Sequence, residues 1–455
     1  CFNHKDVYCV MDVASGAIHV VDPLVYDLLI EEVPLTGKLP EDWSYSKEET
    51  EEALEEIALL RERGQLYSED KMESLRKEFP LAPVIKAMCL HVSHDCNLRC
   101  KYCFASQGDF KGHREVMTLE TGKKALDFLV EHSGQRRNLE VDFFGGEPLM
   151  NMEVVKGLVA YGREIEKTKN KKFRFTLTTN GMLLDEETSD YLNEVMDNVV
   201  LSIDGRPSTN DALRKTISGD GSYDIILPKL KYFSQIRGEK PHYIRGTYTG
   251  LSLDFSEDLI HLAQEGFTSL SMEPVVCDPS EVYALKEEDL PTIYAEYDKL
   301  AEYMLETYGT EKEFDFFHFA LDLSGGPCAI KKSMGCGAGS EYIAVTPFGE
   351  LYPCHQFVGN EAFKLGDLDN GFTQKSKREE FFHLSVLDKE ICQDCWAKYH
   401  CSGGCHANAW HHQGDMKIPY ELGCHMMRKR LELAIYLAVK KREKSENQER
   451  TPHSP

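Results

Sequence analysis

Between about residue 86 and residue 310 the chain alternates, six times over, a short apolar run with a helical period. The runs are AMCLHVS, LEVDFF, FRFTLTT, NVVLSID, HYIRGTYT and SLSMEPVV. Segments such as ETGKKALDFLVEH, MEVVKGLVAYGREIEK and DLPTIYAEYDKLAEYMLET fill the intervals with apolar residues at helical spacing. A strand, a helix and a second strand bring the chain back to the edge where it started, so successive strands pair in parallel. The pattern predicts an α/β fold built on a parallel sheet, wound open or closed as a barrel. Every polar signature of this region comes directly after a strand. Cys96 follows the first run, Gly145, Gly146 and Glu147 the second, Asn180 and Gly181 the third, Asp204 and Gly205 the fourth. In a parallel β/α barrel that edge is the active face.

Two regions of different composition flank the repeats. In residues 1–80, VYCVMDV and AIHVVD surround ASG and read as a hairpin. PLVYDLLIEE and SKEETEEALEEIALLRERGQL read as helices, the second with Ser46 and Glu49 at capping-box spacing. Together they predict a small winged-helix-like module, joined to the barrel by a linker, EFPLAPVIK, from Glu78 to Lys86. Residues 325–424 are rich in Cys and Gly with weak periodicity, the composition of a loop-rich domain that needs metal staples. In residues 425–455, RKRLELAIYLAVKKRE reads as a closing helix and KSENQERTPHSP as a disordered tail.

Charge and hydropathy weigh against two classes of partner. The net charge is −24, and residues 1–80 carry 8 Lys and Arg against 19 Asp and Glu. A nucleic-acid binder needs a basic face to displace counterions from phosphates, so nucleic acid is not expected even on a winged-helix-like module. No stretch approaches the roughly 18 apolar residues of a membrane span, and no signal-like segment opens the chain at Cys1. Most of the fifteen cysteines are clustered, which in a reducing cytosol reads as metal or redox chemistry rather than disulfides. A cytoplasmic location is expected.

The first cluster is CNLRCKYC, with Cys96, Cys100 and Cys103 at C-x3-C-x2-C spacing and no fourth cysteine close behind. The second is Cys392, Cys395, Cys401 and Cys405 at C-x2-C-x5-C-x3-C spacing. Zinc closes four-cysteine sites well, and a three-cysteine zinc site wants a nearby His, for which His94 is available. Cys1, Cys9, Cys89 and Cys277 have no partner spacing and read as small buried hydrophobes.

CNLRCKYC, followed by FFGGEP, TTNG and LSIDG at successive strand ends, resembles the signature of the radical S-adenosylmethionine (radical SAM) superfamily. The resemblance implies a partial six-fold β/α barrel of the TIM type. It implies that Cys96, Cys100 and Cys103 hold three irons of a [4Fe–4S] cluster. The fourth iron is left for the amino and carboxylate groups of S-adenosylmethionine. One electron, drawn from an external reductant, then cleaves the sulfonium to a 5′-deoxyadenosyl radical that abstracts hydrogen from the substrate. The other positions fit roles in cofactor binding. Gly145 and Gly146 allow close backbone approach to the methionine amino group, and Glu147 can accept a hydrogen bond from it. Ser202 and Asp204 suit the ribose hydroxyls, Arg214 the carboxylate, and Tyr102 the adenine, with Asn180 a further contact. Alone, the glycines would serve as a turn, Asp204 as a helix cap and Arg214 as a surface charge. Their order along the chain is what makes them a set.

The C-terminal cysteines resemble a SPASM domain: Cys336, then Gly349 with Cys354, then Cys392, Cys395, Cys401 and Cys405, then Cys424. The resemblance implies two auxiliary [4Fe–4S] clusters, three clusters in all. Cys392, Cys395, Cys401 and Cys424 close one. Cys336, Cys354 and Cys405 hold the other, with Cys328 either its fourth ligand or a spare thiol that leaves one iron open.

Three features narrow the activity. The N-terminal module, with SGAIHVVDPLVYDLL, resembles the recognition element by which peptide-modifying enzymes take a leader peptide as an added strand. Sulfatase maturases of this class carry a catalytic Asp directly after the second SPASM cysteine, whereas His355 stands there here. GCGAGSEYIAVTPFGELYPCHQFVG, with that N-terminus, resembles the sactisynthase-like maturases of SCIFF peptides, which join a peptide cysteine sulfur to a carbon of another residue. The expected substrate is thus a ribosomal, cysteine-rich precursor peptide whose leader docks on residues 1–80. Alternatives are a sulfatase maturase, a peptide cyclase that makes carbon–carbon bonds, and a non-catalytic iron–sulfur electron carrier, which would not need Gly145, Glu147, Ser202 or Arg214.

Overall fold

The computed structural model describes residues 1–78, 84–323 and 328–450, with side chains through Asn447. The expected linker falls partly outside the described residues, at 79–83, as do the boundaries expected at 80 and 325 and the last five residues of the tail.

The chain opens with a three-stranded antiparallel sheet, β1 (Phe2–His4), β2 (Val7–Met11) and β3 (Ile18–Val21), in the order β1-β2-β3. The hairpin read from the sequence is β2–β3, with Tyr8 opposite Val21 and Met11 opposite Ile18. Helices α1 (Pro23–Ile30) and α2 (Lys47–Glu62) cover it through Leu28, Leu29, Ala53 and Ile57. The Ser46–Glu49 capping box forms, satisfying two orphan amides at the start of α2.

Six parallel strands follow in chain order: β4 (Ala87–Ser93), β5 (Asn138–Gly145), β6 (Lys172–Thr179), β7 (Asn198–Ser202), β8 (His242–Tyr248) and β9 (Ser269–Pro274). Helices α3 (Leu119–His132), α4 (Met152–Thr168), α5 (Glu186–Val195), α6 (Tyr223–Arg237) and α7 (Phe255–Gln264) make the crossovers. Alternation within the strands sorts the side chains. Leu139, Val141 and Phe143 of β5 and Phe173, Phe175 and Leu177 of β6 are fully buried in the main core. The stacked rings of Phe143 and Phe175 lie 5.6 Å apart. The opposite set, including Asp142, Phe144, Thr176 and Thr178, is half-buried on the concave side of the sheet. The fold is the parallel α/β sheet that the repeats predict, in the partial-barrel form that the radical SAM resemblance implies.

The sheet does not close on itself. Past β9 and α8 (Leu290–Thr307) it ends at the short β10 (Asp315–Phe316). At the other edge β11 (Tyr342–Val345) pairs in parallel with β4, Ala344 opposite Cys89. Antiparallel β12 (Glu350–Tyr352), β13 (Gly366–Asp367) and β14 (Gly371–Phe372) continue from it. The Cys-rich region therefore shares the barrel's own sheet, which periodicity alone does not reveal.

The final helix, α9 (Glu421–Arg450), runs beyond Lys444, where a disordered tail was expected. Lys444 donates to the carbonyl of Leu305, and Ser445 lies 3.1 Å from the Tyr308 hydroxyl, so polar contacts extend a helix that composition would end. Upstream, the guanidinium of Arg430 donates to Tyr297 at 2.8 Å, and Lys440 pairs with Asp6 at 2.6 Å. Among the described residues no helix is long and apolar enough to cross a membrane.

Candidate active site

At the C-terminal edge of the parallel strands lies a cavity of about 580 Å³. Cys96, Cys100 and Cys103 line it, with Tyr102, Gly145, Gly146, Glu147, Asn180, Ser202 and Arg214. Cys336, Cys354 and Cys405, from the Cys-rich region, line the same space.

The floor is fixed by the contact of two strand ends. The Gly146 amide donates to the Ser93 carbonyl at 2.8 Å and the Glu147 amide to the Asp95 carbonyl at 2.9 Å. Gly145 has φ +133°, and a Cβ there would lie 2.1 Å from the Ser93 oxygen. A Cβ on Gly146 would lie 2.2 Å from the Asp95 oxygen. The glycines are thus required by the packing of β5 on the loop that carries Cys96, before any ligand is considered.

That loop is pinned a second way. Leu98–Cys100 pairs with Arg214–Thr216 in an antiparallel ribbon, Cys100 opposite Arg214. Arg214 is buried, and its Nη1 donates to the Tyr102 hydroxyl at 2.9 Å. The hydroxyl in turn donates to Asp204 at 2.6 Å. Asp204 also accepts from the Thr247 amide at 3.1 Å and does not line the cavity. The carboxylate of Asp204, expected at the ribose, faces Tyr102 and Arg214 here and holds them in place. Ser202, at the end of β7, does face the cavity.

Glu147 is buried, with Thr179 Oγ1 at 2.8 Å, the Asn180 amide at 2.8 Å and the Leu149 amide at 3.0 Å as donors. Burial raises its pKa to about 7 despite these donors and Arg214. Asn180 is committed to Asn97 at 2.8 Å and reaches the Cys96 sulfur at 3.6 Å. Burial also drives the thiol pKa values up, to about 12 for Cys96 and about 11 for Cys100. These thiols become ligands only when a metal takes the place of their protons.

Among the described residues no three His, Cys, Asp or Glu side chains converge on a point that one metal ion could occupy. A cluster of several irons takes each thiolate at a separate corner, so its ligands surround a space, as the cavity cysteines do. His94, the zinc alternative, stacks on Phe110 at 4.5 Å and lies 3.1 Å from His91. The wall also fits S-adenosylmethionine. Arg214 Nε is buried without a partner, and a carboxylate would satisfy it. Glu147 offers an acceptor for an amino group.

The remaining predicted ligands divide. Cys392, Cys395, Cys401 and Cys424 lie within electrostatic range of one another, away from the cavity. Cys328 is exposed and is not on the cavity wall with Cys336, Cys354 and Cys405. His355 is on that wall, 5.1 Å from the Phe144 ring and 5.5 Å from Phe104. Burial and then Arg245 push its pKa down to about 4, so it is neutral at physiological pH. Of the unpaired cysteines, Cys9 and Cys89 are buried as expected, Cys277 is half-buried, and Cys1 is exposed, contrary to expectation.

Sequence reasoning missed Arg245 of β8 and Glu273 of β9, which complete the wall. Burial would raise the pKa of Glu273, but His318 at 3.3 Å, Arg245 at 3.8 Å and Arg430 together hold it below the usual carboxylate range. The signal was present: a charged side chain at the inward positions of runs otherwise built for a core.

The model of the radical SAM superfamily matches residues 90–265. Those residues are a radical SAM domain. The chain is therefore an enzyme that uses S-adenosylmethionine with a [4Fe–4S] cluster. It is 25% identical over 70% of its length to the radical SAM cyclopropyl synthase TigE of Paramaledivibacter caminithermalis, covering 68% of that protein. It is 26% identical over 72% of its length to a cysteine-type anaerobic sulfatase-maturating enzyme of Clostridium perfringens, covering 89% of it. Its fold matches anSMEcpe with bound AdoMet, with TM-score 0.66, 21% identity, and coverage of 78% of this chain and 99% of that one. It also matches Streptococcus suis SuiB bound to the precursor peptide SuiA, with TM-score 0.54, 16% identity, and coverage of 91% and 97%.

Two outcomes are expected. Gly145→Ala should lower the melting temperature of the metal-free protein, since the backbone angle alone costs about 1–3 kcal/mol; an unchanged melting temperature would mean that the glycine serves only the cofactor. In the radical SAM domain, S-adenosylmethionine affinity should weaken by up to about tenfold from pH 8 to pH 6 as Glu147 gains a proton and stops accepting. Isothermal titration of wild type and Glu147→Gln checks this, the variant being flat with pH.

Proposed function

We propose that this enzyme is a peptide maturase that forms thioether links, cysteine sulfur to carbon, in a ribosomally made cysteine-rich precursor peptide. The observation that carries the reading is the single cavity lined by both the first cysteine triplet and Cys336, Cys354 and Cys405. A peptide in that space meets the cofactor on one side and a second set of metal-binding thiols on the other. Cys96, Cys100 and Cys103 hold the first cluster. Cys392, Cys395, Cys401 and Cys424 hold one auxiliary [4Fe–4S] cluster, and Cys336, Cys354 and Cys405 the other, in a SPASM domain. Bound there, S-adenosylmethionine and its cluster supply the radical that takes a hydrogen atom from the substrate.

The chain's own residues bind and orient. Arg214 takes the cofactor's carboxylate, with Tyr102 and Asp204 fixing its guanidinium. Glu147 accepts from the amino group, and Ser202 meets the ribose. Cys328 is not on the cavity wall, which supports reading the three cavity thiols as a set with no fourth ligand among the described residues. A cysteine of the peptide would complete that set, which would keep its sulfur as a thiolate beside the acceptor carbon.

The N-terminal sheet supports leader docking. Phe2 of β1 stacks on Trp396 at 5.8 Å and His4 packs on Tyr436 at 4.6 Å, so β1 is covered. β3 is the outer edge, with Val20 56% exposed, and a peptide strand can join it. The peptides bound to SuiB and, in a second structure, to anSMEcpe support a peptide as substrate. The second reading, a sulfatase maturase, is favoured by the Clostridium perfringens relative. Its expected acidic residue is replaced on the wall by neutral His355.

Cys328→Ala should keep the iron content of the reconstituted enzyme, about twelve irons in three clusters, and keep thioether formation; loss of about four irons would make Cys328 a ligand. Deleting residues 1–78 should abolish modification of a cysteine-rich peptide with its leader at low peptide concentration while S-adenosylmethionine cleavage continues. Full modification by the truncated enzyme would remove the docking role. A peptide that bears a sulfatase motif, modified in place of the cysteine-rich one, would favour the second reading.

A further inference from the structure

Lys389 is wholly buried, a rare state for an ammonium group unless something anionic sits beside it. Among the described residues no carboxylate pairs with it. Its Nζ donates to the Gly403 carbonyl at 2.7 Å. Gly403 stands between Cys401 and Cys405, and the Lys389 stem lies against it, with Cδ 3.2 Å from where a Gly403 Cβ would be. The Lys389 carbonyl accepts the Cys392 amide at 2.9 Å, so the residue is tied to both ends of the four-cysteine motif. The titratable groups acting most strongly on it are the thiols of Cys392, Cys401, Cys405 and Cys424. Protonated thiols would offer the ammonium no counter-charge, whereas thiolates on iron carry net negative charge.

We propose that the Lys389 ammonium is the fixed counter-charge of the iron–sulfur group held by Cys392, Cys395, Cys401 and Cys424, and that it favours the reduced state of that group. The inference rests on the reading of these four cysteines as cluster ligands. Reduction adds one electron from a low-potential donor and makes the group more negative by one charge. A cation held in a low-dielectric surrounding stabilises the reduced form more than the oxidised one. Cys405 belongs to the neighbouring three-cysteine set. The same ammonium therefore acts within range of both auxiliary sets, on three cysteines of the four-cysteine one and one of the other. Lys389 is a positioning residue for charge: it touches neither substrate nor cofactor.

The test uses the full chain, reconstituted anaerobically, with iron and sulfide assayed and the auxiliary signals followed by EPR during a dithionite titration with mediators. Lys389→Met removes the charge at similar length, and Lys389→Arg keeps it. The expected result is full iron content in both variants, one auxiliary midpoint shifted to lower potential in Lys389→Met, and a midpoint near wild type in Lys389→Arg. Full iron with an unshifted midpoint in Lys389→Met overturns the proposal. If Lys389→Met loses iron, Lys389→Arg decides. Full iron and a wild-type midpoint support a role of charge, and loss of iron there as well overturns it in favour of packing against Gly403. A wild-type protein that takes up only about four irons would instead refute the cluster reading on which the inference stands.

Discussion

The site depends on two backbone hydrogen bonds, from Gly146 to Ser93 and from Glu147 to Asp95, each made where a side chain would intrude. They join the end of β5 to the turn that begins the cysteine loop. Cys96 is the next residue after Asp95, and Glu147 the next after Gly146. One short contact therefore fixes the Cys96 thiol relative to the Glu147 carboxylate, the proposed acceptor for the cofactor's amino group. The ribbon between Cys100 and Arg214 adds the second coordinate, tying the same loop to the guanidinium proposed to take the cofactor's carboxylate.

Charge is arranged in two layers. The exterior is acidic, with a net charge of −24 over the chain. The buried interior around the reacting region carries cations instead: Arg214 beside Tyr102 and Asp204, Arg430 behind Glu273, and Lys389 among the cysteines. Each is expensive to bury alone. Arg214 and Arg430 have anionic neighbours in the polypeptide. Lys389 has them only if the thiols around it are metal-bound. Neutral His355 and the rings of Phe104 and Phe144 keep one part of the cavity wall uncharged.

Much of this was legible because the relevant spacing is short. The β/α repeats, the cysteine motifs and the Gly145–Glu147 turn each lie within a few residues, and chain order put them at one edge of the sheet. What was not legible comes from contacts between distant segments. The pairing of Cys100 with Arg214, and of β11 with β4, spans more than a hundred residues and leaves no periodicity. Asp204 follows a strand, where a ligand contact is expected, and its protein partners, Tyr102 and Thr247, come from other elements that no local pattern encodes. Arg245 and Glu273 sat inside strand-like runs, where a single charge is easily taken for a solvent-facing residue. The continuation of α9 past Lys444 depends on Leu305 and Tyr308, which no local composition encodes.

The central claim is that one cavity brings the radical chemistry and the second thiol set to the same peptide. It is tested most directly by incubating the reconstituted enzyme, S-adenosylmethionine and a low-potential reductant with a cysteine-rich precursor peptide deuterated at carbon. The account predicts deuterium in the 5′-deoxyadenosine formed, and a peptide that has lost two hydrogens for each sulfur–carbon link. 5′-Deoxyadenosine without deuterium, beside an unchanged peptide, would contradict it.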